Sequence, residues 1–312
     1  MTAPYIPQAI SKEAVAEQQS DYTALVSELG RASPEEIQQV LDERELVELE
    51  KGVCSEQVAK LQARIATIRS TIPTWIEFAW AAFLYGTVGG DTTYQTLMRK
   101  ADFLNDLRSR PSSVSPDRLQ AELITGFLNP WRTRISAKAT PGIQKQIESI
   151  HSFVIQLSQF EIGAVNFDQL LAIDSGNYTI SQAVERCYES IQSVHGVGST
   201  ATAKILHVLL PRLCVMWDTP ILSCFTGKPY GSSDGYTNYL RIVQTVANGI
   251  KTDFDNSKAS LNPPARTDET LESYLSERMK YTPHKTLAKF LDEYYWITIT
   301  NKVELPPAWY PT

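Results

Sequence analysis

The sequence is poor in the residues that build metal centres. Its 312 residues include four cysteines (Cys54, Cys187, Cys214 and Cys224) and four histidines. The cysteines are scattered, with no C-x-x-C pair and no histidine cluster, which argues against a structural zinc. No apolar run approaches the roughly 18 to 20 residues needed to span a bilayer, and the N-terminus lacks a charged-then-apolar signal. A cytoplasmic or nuclear protein with no membrane partner is therefore expected. Repeats and low-complexity tracts are lacking too. No run alternates convincingly at period two, so essentially no sheet is expected.

What remains is an ordinary globular composition, 43% hydrophobic and 21% charged, on a chain long enough for one large or two modest domains. A net charge of −6 looks wrong for a nucleic-acid binder until it is divided. Residues 1–60 hold twelve acids and five bases, a net of −7, which leaves +1 for the rest. Residues 99–145 carry nine bases, Arg132 and Arg134 among them, against four acids, and no acid lies between Glu189 and Asp218. Basic charge gathered on two segments suits phosphate binding. A solvated helical face is the alternative for residues 99–145.

Taken in order, residues 1–70 read as an acidic helical N-terminal extension, with Ser33-Pro34 opening one helix that Gly52 ends and a second running from Ser55 to Thr71. Thr74 to Gly86 is apolar almost all round and should be a buried helix. A glycine-rich turn, Gly86 to Gly90, precedes a helix capped by Asp91 or Thr92. Further helices are expected over Pro116–Phe127, Pro141–Ser158, Val165–Ile173 and Ser181–Ser193, then over Tyr236–Phe254, Glu269–Met279 and from Pro283 onward. Short loops between many helices suit an all-α bundle.

The stretch Val194 to Ile221 organises the rest. Gly196 and Gly198 stand where one amphipathic helix ends and a second, Ser199 to Leu210, begins. Glycine suits a turn that takes the backbone to positive φ and leaves main-chain N–H groups uncovered. Those groups lie at the positive end of the second helix, so the turn is a socket for a phosphate oxygen or another small anion. The helix stops at Pro211, a short apolar run from Leu213 to Trp217 follows, and Asp218 stands before a helix that Pro220 can start.

This pattern resembles the helix-hairpin-helix DNA glycosylase superfamily, the group that contains endonuclease III. There a hydrophobic-x-Gly-hydrophobic-Gly hairpin is followed, twenty residues after its second glycine, by a catalytic Asp, often in an Asp-Thr pair; here that register falls on Asp218-Thr219. The resemblance implies a two-lobed helical fold with the hairpin and the Asp at the interlobe cleft. Residues 71–93 and 222–303 would form the terminal-helix lobe, and 94–221 the six-helix lobe. It implies double-stranded DNA as partner and excision of a modified or mismatched base. The position of the strand-cutting lysine in this family is Thr200 here, which implies a monofunctional enzyme. No Cys lies beyond Cys224, so the iron-sulfur cluster of some members has no counterpart; no cofactor is required, and a monovalent cation at the hairpin is the one ion the resemblance admits.

The chemistry gives each residue a role. Breaking an N-glycosidic bond develops positive charge on the sugar, and a carboxylate near that carbon stabilises it and orients water. Asp218 is the candidate, and it doubles as a helix N-cap. Gly196, Gly198, Thr200 and Lys204 are the candidate phosphate contacts, Lys204 also being weighed as a substitute amine nucleophile. Trp217, Trp131, Arg132 and Arg134 are candidates for the base pocket or DNA contacts, with Trp80 and Tyr85 as further aromatics. His195 and His207 read as structural. Two other readings stay open: a catalytically inactive helix-hairpin-helix DNA-binding module, since Thr202 stands where many members have Ala, and a scaffold that binds a protein partner through the acidic N-terminal extension.

Overall fold

A computed structural model describes residues 72–87, 91–226, 230–261, 264–303 and 305. The expected helices of the N-terminal extension, and the centre of the Gly86 to Gly90 turn, lie outside these residues. The described chain is mostly helical, as its patterning implied. In order it forms α1 (Trp75–Thr87), α2 (Thr92–Met98), α3 (Ala101–Ser109) and α4 (Pro116–Leu119), which widens into a π-type turn at Gln120–Leu128. Then come α5 (Thr140–Ser149), α6 (His151–Leu157), β1 (Leu170–Ile173), β2 (Gly176–Thr179), α7 (Ile180–Gln192) and α8 (Ser199–Leu209). The chain continues with α9 (Thr219–Thr226), the long α10 (Ser233–Ser257), α11 (Leu271–Arg278) and α12 (Leu287–Tyr295), extended by a π-type turn at Trp296–Thr300.

Local chemistry explains most boundaries. Thr179 opens α7 with a capping box, its hydroxyl accepting from Gln182 N while the Gln182 side chain accepts from Thr179 N, which satisfies two otherwise orphaned donors. Ser232 accepts from Gly235 N and so starts α10 three residues earlier than its apolar pattern indicated. Thr286 caps α12 by accepting from Lys289 N.

Two expectations are corrected. The segment 165–173 is not a helix: it leads into a two-stranded antiparallel hairpin in which Leu170 pairs with Thr179 and Ile173 with Gly176. Leu171 and Ile173 are buried while Leu170 and Ala172 are exposed, an alternation too short to stand out from a helical pattern. Asp174, at φ 54, turns the chain and accepts from the Ser152 hydroxyl. The single helix expected over Pro141–Ser158 is two, broken at Ile150, whose backbone leaves the helical region.

One contiguous apolar core runs from Phe78 of α1 to Tyr295 of α12. α10 packs along α7 and also touches α1, α9, α11 and α12. The N-terminal and C-terminal helices meet where α1 lies on α12 and its π-type extension. No described helix is long and apolar enough to cross a membrane.

Candidate functional site around Asp218

The site is built on a strand-like segment that belongs to no sheet. Leu213 to Trp217 is buried, and buried carbonyls need donors. Three side chains supply them in succession. His207 Nδ1 donates to the Cys214 carbonyl at 2.6 Å, the Tyr236 hydroxyl to that of Val215 at 2.9 Å, and the Tyr239 hydroxyl to that of Met216 at 3.0 Å. His207 is neutral, because burial pulls its pKa down to about 4, and its Nε2 accepts from the Tyr94 hydroxyl. This fixed segment delivers Asp218 to the start of α9.

Asp218 is half-buried. Its Oδ1 accepts from Ile221 N at 3.0 Å, as an N-cap does, and its Oδ2 accepts from the Thr300 hydroxyl at 2.7 Å. Burial raises its pKa and Asp292 adds to that, while the Ile221 N–H, the Thr300 hydroxyl and the charge of Lys204 oppose it. The carboxylate is thus held in one orientation by two donors.

Trp217 ties this carboxylate to the glycine turn. Its indole N–H donates to the Ser199 carbonyl at 3.2 Å, so Asp218 and the N-terminus of α8 lie within one tryptophan's reach. Ser199 is locked in turn: its hydroxyl accepts from Gly231 N, and Gln192 donates to both Ser199 Oγ and the Gly231 carbonyl. Gly231 must be glycine, since a Cβ there would sit 2.6 Å from the Trp217 ring. Trp217 is fully buried against Tyr188, Tyr236 and Tyr239. The expectation that it lines a base pocket is corrected: it is the keystone under the site, with its polar edge already satisfied.

The turn itself is open. Gly196 has φ +85, Gly198 is extended at φ −88 and ψ 173, and a Cβ on either would meet nothing within 4 Å. Only Gly196 needs glycine for its backbone; at Gly198 the missing side chain matters by leaving the amides of α8 uncovered. No side chain caps α8, and its first N–H groups have no partner within the helix. Val197 plugs the turn from below, His195 is exposed and Thr200 half-buried beside Gly198.

Lys204 is not on that surface. It is buried at 5% exposure, and its ammonium donates to the Trp131 carbonyl at 3.3 Å and lies 4.9 Å from the Trp131 ring centre. Its expected role as a phosphate contact at the turn is corrected accordingly: α8 is buried on every face from Ala201 to Leu209, Lys204 included. Burial pulls its pKa down to about 8, against the opposing charges of Asp292 and Asp218.

Trp131 belongs to a clamped loop. Asn129 accepts from Ile135 N and donates to the Ile135 carbonyl, which closes the loop and holds Arg132 and Arg134 in left-handed backbone conformations, φ 61 and 56. Both arginines are exposed and make no ion pair among the described residues. Much of the neighbouring basic charge is already used within the molecule: Lys100 pairs with Glu122, Arg110 and Arg118 with Asp106, and Arg108 donates to the Val208 carbonyl. The free cations of that segment are concentrated on and just beyond the Trp131 loop.

Compared with family models, with curated proteins and with solved structures, the chain matches none. The likeness to helix-hairpin-helix glycosylases therefore rests on its own residues.

Beneath the Trp131 ring lies a buried chain of alternating charge that sequence reasoning missed. Asp91 pairs with Lys285 at 2.8 Å, Lys285 with Glu293 at 2.7 Å, Glu293 with Lys289 at 3.2 Å, and Lys289 with Asp292 at 2.7 Å. The Lys289 ammonium also lies 4.3 Å from the Tyr85 ring centre and 5.2 Å from that of Trp131. The available signal was spacing: Lys285, Lys289 and Glu293 recur every four residues beside Phe290, Leu291 and Tyr294, the first just before α12 and the others on it, where too little exposed face is left to solvate them.

Proposed function

We propose that the protein removes a modified or mismatched base from double-stranded DNA by hydrolysing its N-glycosidic bond, without cutting the strand. The observation that carries this reading is the tie between a half-exposed, doubly hydrogen-bonded Asp218 and an uncapped, glycine-bared N-terminus of α8, joined through Trp217. In this reading α7, the Gly196 turn and α8 form the helix-hairpin-helix, and DNA lies in a cleft between the lobe of residues 71–93 and 222–303 and the lobe of residues 94–221.

Each part has a task. The bare amides of α8 hold a backbone phosphate, and Arg132 and Arg134 hold others without reading sequence. Anchoring the backbone offsets the few kcal/mol that extruding a base costs. Asp218 faces the sugar, stabilises the positive charge that grows there as the bond lengthens, and orients or deprotonates the attacking water. The Ile221 amide and the dipole of α9 favour its ionised form.

The test is base release from duplexes carrying modified bases, read as strand breaks after hot alkali. Asp218→Asn keeps the cap through its amide oxygen and donates to Thr300 through its nitrogen, so the fold is retained while release should fall by a factor of roughly 10² or more. Undiminished release in D218N refutes the role given to Asp218. The second reading, a DNA-binding module without the reaction, is favoured by the structural bond that each Asp218 oxygen already accepts. Salt-sensitive duplex binding that D218N leaves intact, with no product from either protein, would establish it.

A further inference from the structure

Three lysines are buried in this part of the molecule, and two of them are spoken for. Lys285 and Lys289 each contact two carboxylate groups. Lys204 has no carboxylate within ion-pair distance among the described residues. Of the three N–H donors of its ammonium, one reaches the Trp131 carbonyl and two are uncommitted. A buried ammonium in this condition is costly. Asp218 and Asp292 both act on it electrostatically, and the half-buried Trp131 ring lies next to it.

We propose that Lys204 is the proton donor to the departing base, with Trp131 holding its ammonium in place. The inference rests on the base-excision reading and adds to Asp218 the acid which that reading lacked. As the bond from the sugar to the base nitrogen breaks, its electron pair stays with the base and a Lys204 proton joins the base. Water adds to the sugar carbon and passes its proton to Asp218. Asp218 then releases its proton to solvent, and the neutral amine of Lys204 regains one from it.

The groups facing Lys204 fit this cycle. From α12 come Asp292 and the cationic Lys289, and from the start of α9 comes Asp218. With its pKa pulled down to about 8, Lys204 is mostly protonated at pH 7 yet gives up its proton far more readily than a solvated lysine, as a general acid should.

The experiment compares leaving groups. Wild type, Lys204→Met and Lys204→Arg are given duplexes carrying hypoxanthine or uracil, which leave more easily once protonated, and N7-methylguanine, which is already cationic. Release of the neutral bases should fall by a factor of roughly 10² to 10⁴ in K204M and K204R. Release of N7-methylguanine should change by less than about threefold, a split that a merely structural lysine would not produce. Wild-type release of the neutral bases should also decline above about pH 8, and that decline should vanish from what activity the variants keep.

Equal losses on both classes, or full activity in K204R, overturn the proposal. So does a borohydride-trapped covalent adduct with wild type that K204M fails to form, which would make Lys204 a nucleophile instead. Failure of the wild type to release any of the probes overturns base excision itself, whereas undiminished release by D218N removes only Asp218 from the reaction.

Discussion

Lys204 and Lys289 lie against the same Trp131 ring and are both buried, yet their surroundings drive them in opposite directions. Lys289, on α12, sits in a chain of paired charges. Burial would lower its pKa, but Asp292, Tyr85 and Glu293 outweigh that and raise it well above the usual lysine value. Lys204, on α8, has no such partner, and burial prevails. Of the two lysines at Trp131, one is thus compensated and the other is left without an ion pair. Compensation belongs to architecture, because a buried ion pair holds two helices in one register. An uncompensated ammonium beside a carboxylate adds nothing to the fold, which is why perturbed groups of this kind concentrate at functional sites.

The largest effect should come from breaking the compensated side. Glu293 bridges Lys285 and Lys289, so Glu293→Gln takes one carboxylate from each of two buried cations at once and leaves them Asp91 and Asp292 alone. A loss of about 3 to 5 kcal/mol is expected, read as a lowered urea midpoint. A loss below about 1 kcal/mol would mean that the chain of charges is not what holds α12 to Asp91 at the start of α2, and the contrast with Lys204 would dissolve.

The open side should respond with the opposite sign. Lys204→Met removes a charge whose burial is unpaid for by any ion pair, and should stabilise the protein by about 1 to 3 kcal/mol at pH 7. The folded-state pKa of about 8 lies below that of an unfolded lysine, about 10.4, so the unfolded chain binds the extra proton between those values. Wild-type stability should therefore rise relative to K204M as pH climbs through that window, and the gain from the mutation should fade above it. A stabilised protein that no longer releases neutral bases would display the stability given up for activity at this position.

The two sides of Trp131 also differ in how far they could be read from sequence. The glycine turn, the helix after it and the capping position of Asp218 announce themselves, because turns and caps are local chemistry: positive φ at Gly196, an N-cap before Thr219-Pro220. The helical class followed from periodicity for the same reason. The chain of charges did not, since its members come from the residue before α2, the loop before α12 and α12 itself, and each alone looks like a solvated residue. Trp217 was misread because a tryptophan beside a carboxylate looks the same in sequence whether it faces a cleft or the core; the three tyrosines around it and the close approach of Gly231 decide, and they lie 14 or more residues away. Lys204 was placed on the correct helix but on the wrong side, because apolar residues surround α8 on nearly every face and leave no polar stripe to orient it.

The smallest effect tests how finely Asp218 is set. Thr300 donates to its Oδ2 from the π-type turn after α12, and this bond opposes the rise that burial imposes on the carboxylate pKa. Thr300→Val keeps the shape and removes the donor. The Asp218 pKa should then rise further, so base release should lose its acid limb at a higher pH than in wild type. The sign follows from the ionised form being the active one: raising the pKa narrows, from the acid side, the range in which the carboxylate is charged. The deficit of the variant should therefore grow as pH falls and close as pH rises. A pH-independent loss would instead assign Thr300 to holding α9 against the end of α12, and Asp218 would owe its ionisation to the Ile221 amide and the helix dipole alone.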